Sequence, residues 1–102
     1  MPSLLNSEET TSRLIAQWGY PEYGARKLAL MLSQLQPPLA AHVARWWETG
    51  EPVELQVEGC TLETLKRDHG MNDIAGILTL DWLLRDPATA LAQLARGHDH
   101  VQ

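Results

Sequence analysis

The sequence predicts an all-α protein: a compact bundle of five to six short helices around a central apolar helix at about 73–85, with one short extended segment at about 53–57. Three observations carry this expectation. Apolar residues recur at helical spacing through most of the chain. Capping residues precede these runs and Gly or Pro follows them, which is how helices start and stop. One run, from Ile74 to Leu84, is apolar around nearly its whole circumference, the mark of a helix covered on all sides.

Ser7 reads as the N-cap of the first helix, with Glu8 and Glu9 in a first turn whose dipole favours anions. Thr11, Leu14, Ile15 and Trp18 follow at helical spacing, and Gly19 is the stop. After the Tyr20-Pro21 turn, a second helix is expected from about Glu22 to Leu35, with Ala25, Leu28, Met31, Leu32 and Leu35 facing inward. Pro37-Pro38 ends it and opens a third, because proline suits the first helical position. That helix runs to about Glu48, with Gly50 closing it, and Leu39, Val43, Trp46 and Trp47 follow the i, i+4, i+7, i+8 pattern.

The period then changes to two. Val53, Leu55 and Val57 alternate with Glu54, Gln56 and Glu58 between Pro52 and Gly59, a strand pattern with one apolar face. Thr61 caps a short helix that Gly70 stops, and Asn72 caps the central helix, Asp73 to about Arg85. Within that helix Gly76 and Thr79 lie three apart and admit a close neighbour. Asp86-Pro87 opens a last helix expected to end at Gly97. Residues 97–102 read as a polar, frayed tail, and 1–102 as a single helical domain.

Eight Lys+Arg against 13 Asp+Glu give a net charge of −5. The longest basic runs are the dipeptides Arg26-Lys27 and Lys66-Arg67, so the electrostatic footprint of a nucleic-acid binder is missing. The same field repels anionic lipid. No apolar run approaches the roughly 20 residues of a membrane-spanning helix. The opening Met1-Pro2-Ser3-Leu4-Leu5 lacks a positive n-region. The expectation is a cytoplasmic protein with no nucleic-acid or membrane partner.

Sites of chemistry are sparse. No phosphate-binding glycine loop, zinc-protease motif or calcium loop occurs, so no catalytic residue and no cofactor is expected. A single cysteine excludes an internal disulfide. Cys60 stands just before a helix start, where a thiolate is stabilised, and this makes a small thiol-dependent enzyme or redox protein the first rival reading. Only His69 lies near it in sequence. The second rival is a helix-turn-helix transcriptional regulator built on 61–84, although its second helix exposes almost nothing and carries two Asp. His98-Asp99-His100 has metal-ligating residue types but no third ligand at a helpful spacing, so no metal site is expected.

The leading expectation is a non-enzymatic interaction or self-association module, whose partner is itself, as a homodimer, or another protein. Four residues are candidates for partner binding: Trp46, Val53, Leu55 and Val57. Adjacent helical residues point about 100° apart. Trp47 continues the Leu39–Val43 stripe into the core, and Trp46 turns toward a contact surface. The Val53–Val57 segment is a lone strand with unpaired backbone groups, which the same segment of a second copy would pair across a two-fold axis.

Overall fold

The computed structural model describes residues 7–100, which form six α-helices. The chain groups into two compact units, 1–35 and 36–102.

The first unit is a helical hairpin. Helix α1, Ser7–Trp18, packs on α2, Glu22–Leu32. Gly19 adopts φ +78°, which lets its N–H reach the Ile15 carbonyl at 3.1 Å and so satisfy the end of α1. Thr10, Leu14, Ala25, Ala29, Leu32 and Leu35 are buried. The inward stripe of α2 therefore runs through Ala29 and not Met31, which is 49% exposed. The correction is one of phase. With alanines on the inner line at Ala25 and Ala29, the larger Met31 lies about 160° away from Ala29 around the helix. The helix also ends three residues before Leu35, where Ser33 Oγ donates to the Leu30 carbonyl at 2.6 Å.

The second unit is built around one helix, as expected. Helix α3 spans Pro37–Thr49, α4 Leu62–His69, α5 Asp73–Arg85 and α6 Pro87–His100. Helix α5 packs against α3, α4 and α6, and buries Ile74, Gly76, Ile77, Leu80 and Leu83. Trp82 lies on the opposite arc with Leu78 and is 36% exposed, so it is not a core residue. Asp81 ties α5 to the start of α3: its carboxylate accepts the Gln36 N–H at 2.9 Å and the Arg85 Nε–H at 2.7 Å. Asn72 caps α5 by accepting the Ala75 N–H at 2.8 Å. Helix α6 continues through Gly97 to His100, in place of the stop and frayed tail expected there. One interior glycine costs a helix about 1 kcal/mol, too little to end it alone. Residues 101–102 lie outside the described residues.

The expected strand does not form. Between α3 and α4 the only β-type pairing among the described residues is a bridge from Val57 to Cys60. These two exchange reciprocal N–H···O bonds of 2.8 Å across Glu58 and Gly59, with φ of +51° and +80°. Two positive φ values in a row are the signature of a type I′ turn, in which Gly59 is at ease and Glu58 takes a conformation that residues with a Cβ disfavour. The alternation itself survives as burial: Val53 and Val57 are buried, Leu55 half-buried, Glu54 and Gln56 exposed. A strand needs a ladder, and the turn supplies one rung.

Candidate interaction groove

Helix α3 ends at Gly50, whose φ of +82° lets its N–H close on the Trp46 carbonyl at 2.8 Å. The chain then turns back through Pro52 and Val53 toward α4. Helix α4 is held at its start by a capping box: the Thr64 N–H donates to Thr61 Oγ1 at 3.2 Å, and the Thr61 N–H to Thr64 Oγ1 at 2.9 Å. These elements enclose an open groove of about 650 Å³. Trp46, Pro52, Val53 and Leu62 supply its apolar lining, and Glu63, Lys66, Arg67 and Asp73 its charged lining.

The two tryptophans divide as the helical geometry demands. Trp47 is buried at 8% exposure, beside Leu39 and Val43 on the core stripe. Trp46 is half-buried and lines the groove. Their rings meet edge to face, 5.9 Å apart at 66°, so the core indole holds the outer one in place.

The cations of the groove are engaged within the chain. Lys66 Nζ lies 2.7 Å from Asp73 Oδ1, bridging the end of α4 to the start of α5. Arg67 Nε lies 3.0 Å from Asp68 Oδ1, and its guanidinium is held above its ordinary pKa by the Asp68 hydrogen bond and charge. Polar groups that satisfy one another do not converge on a ligand, unlike those of a small-molecule pocket.

Of the four residues expected at a contact surface, the structure brings Trp46 and Val53 to this groove; Leu55 and Val57 do not line it. Val57 has its N–H and C=O bonded to Cys60, which removes them from the row of open edge groups the strand reading required. Leu62, Lys66 and Asp73 were not legible as site residues. The available signal was Lys66 and Asp73, seven apart across a glycine turn, the spacing of an ion pair that clamps two successive helices.

Cys60 is a free, half-buried thiol. It shares a second open depression, of about 690 Å³, with His69, Asp68 and the Leu91–Leu94 side of α6. Burial, and then the Glu58 carboxylate, push the thiol above its ordinary value. A nucleophilic or sensing cysteine requires the opposite shift. The helix-turn-helix reading meets a similar obstacle: α4 and α5 do form helix, turn and helix, but the second helix is the one that fills the core. Among the described residues no group of three or more His, Cys, Asp or Glu is placed to hold a metal ion; the side chains of His98, Asp99 and His100 lie outside them. No helix among the described residues is long and apolar enough to cross a membrane.

Compared with protein families, with curated proteins and with solved structures, the chain matches none.

Proposed function

We propose that the protein is a non-enzymatic interaction module that docks a bulky apolar side chain of a partner protein into the α3–α4 groove, with Trp46 as the anchor. The observation that carries this is a half-buried indole, braced by a core indole, on the wall of an open apolar groove. Tryptophan is among the residues that dominate binding hot spots, and it does so where its surroundings are packed and desolvated. An open groove whose two cations are already paired within the chain suits a protein surface better than a buried substrate. The proposal places the chain in the cytoplasm, where its free Cys60 stays reduced.

The test is a pair of alanine variants. Trp46→Ala is expected to weaken partner association by about 2 kcal/mol or more, roughly thirtyfold in affinity. It should cost about 1 kcal/mol of stability, the order of one edge-to-face aromatic pair. Trp47→Ala should cost about 3–5 kcal/mol of folding stability, as core aromatic truncations do. Chemical denaturation reads the second quantity. Pull-down from the native host followed by titration of the captured protein reads the first. A Trp46→Ala protein that retains full affinity for a partner captured by wild type sinks the proposal.

A further inference from the structure

Resting on that reading of the groove, we propose a chemistry for the partner: a segment carrying Lys or Arg around one bulky apolar side chain. The charge of this protein is not spread evenly. Residues 1–35 hold three basic and three acidic residues, and 36–102 hold five basic and ten acidic, so the whole net charge of −5 belongs to the unit that contains the groove. The excess concentrates where the groove is built. From Arg45 to Asp73 there are three basic residues (Arg45, Lys66, Arg67) and seven acidic ones (Glu48, Glu51, Glu54, Glu58, Glu63, Asp68, Asp73), a net of −4.

Pairing sharpens the imbalance. Both cations that line the groove are matched by carboxylates, Lys66 by Asp73 and Arg67 by Asp68. Glu51 stands between two lining residues, Gly50 and Pro52, and Glu54 follows a third, Val53. Both are exposed, and among the described residues no ion pair engages their carboxylates. Glu63 lines the groove itself and is exposed. Glu63 also faces the Arg67 charge, so the excess of negative charge over the 45–73 stretch comes from exposed carboxylates next to the lining residues in sequence. That excess repels an acidic partner and steers a basic one, within the roughly 8 Å reach of charge at physiological salt. The apolar anchor supplies the lasting contact, and the basic flanks supply on-rate and choice of partner.

The experiment uses the full chain and three fluorescein-labelled helical peptides of about fourteen residues, with leucine on one face and lysine, glutamine or glutamate on the other. Anisotropy titrations are expected to rank them lysine over glutamine over glutamate, with at least about a tenfold gap between the extremes, closing as salt rises from about 50 to about 500 mM. The triple variant Glu51→Gln, Glu54→Gln, Glu63→Gln should weaken the lysine peptide about tenfold and flatten its salt dependence. The control Glu8→Gln, Glu9→Gln, Asp86→Asn removes the same formal charge at residues that do not line the groove, and should leave binding unchanged. Trp46→Ala should weaken all three peptides. Equal binding of lysine and glutamate peptides, both lost in Trp46→Ala, overturns the charge inference while the groove reading stands. Lysine-peptide binding that is indifferent to Trp46→Ala, or lost equally in the control triple, shows a bulk-field effect and overturns both. No binding by any peptide overturns the inference as well.

Discussion

Single residues in this chain act through what their neighbours leave accessible. Trp46 and Trp47 differ by one position, yet the helical rotation sends one ring into the core and the other to the groove wall, and their edge-to-face contact couples the two. Cys60 shows the same dependence in its titration. Its folded pKa is raised, by burial first and by Glu58 second. The unfolded thiol therefore ionises first as pH rises, and the native state binds the extra proton. The contribution of Cys60 to stability is full below the ordinary thiol pKa and is lost as pH climbs through the folded one. Wild type should accordingly lose stability above about pH 8.5 in a way that Cys60→Ala does not, measured by urea unfolding between pH 7 and pH 10. At pH 7.5 Cys60 should also react with a maleimide more slowly than free cysteine. A faster reaction revives the thiol-dependent reading.

At the scale of elements, the seam between α4 and α5 decides how the groove wall stands. Gly76 is buried in α5, and a Cβ built there runs into Leu62 Cδ1, with Leu62 Cγ and Leu65 Cβ at ordinary contact distance beyond it. Leu62 is itself part of the groove lining. Gly76→Ala gains about 1 kcal/mol of helix propensity but overpacks a buried contact at about 1–3 kcal/mol, so a net loss of about 1 kcal/mol is expected. Adding Leu62→Ala should relieve the overlap, making the double variant less unstable than the sum of the singles. A double-mutant cycle by chemical denaturation measures that coupling. Strict additivity means the two residues do not compete for the same space. The turn at 57–60 is a second such device. It gives Val57 its inward aim and delivers the chain to the Thr61 cap, through two residues at positive φ.

At the scale of the whole molecule, α5 is the axis of the unit 36–102, and the loss of its packing should be felt cooperatively. Leu80 is fully buried, so Leu80→Ala is expected to cost about 2–5 kcal/mol. Trp82 is a larger side chain, yet it sits on the exposed arc, and Trp82→Ala should cost less than Leu80→Ala. Denaturant midpoints of the two variants, read by far-ultraviolet circular dichroism, decide it. The reverse order means that the exposed arc of α5 carries more of the stability than its buried one.

What the sequence determined by itself is the set of helices, the caps of α4 and α5, the glycine stops at 19, 50 and 70, and the identity of the central helix; the expected cap at Ser7 and stop at Gly97 lie inside α1 and α6. Those properties rest on interactions within a few residues: Asn72 on the Ala75 N–H, Thr61 with Thr64, glycine at Gly19, Gly50 and Gly70 where φ turns positive, and an apolar run too complete to face water. The assignment of Trp47 to the core and Trp46 outward was likewise legible, because a helix fixes the angle between neighbours. The tertiary structure alone decided three things. It set the phase of α2, where two alanines took the inner line from Met31. It reduced the alternating segment to one turn, because among the described residues no second run completes a ladder with it. It assembled the groove, whose lining comes from α3, a loop, α4 and the first residue of α5. Each depends on which surfaces meet across distances in sequence that local periodicity does not encode, and packing between elements is where that choice is made.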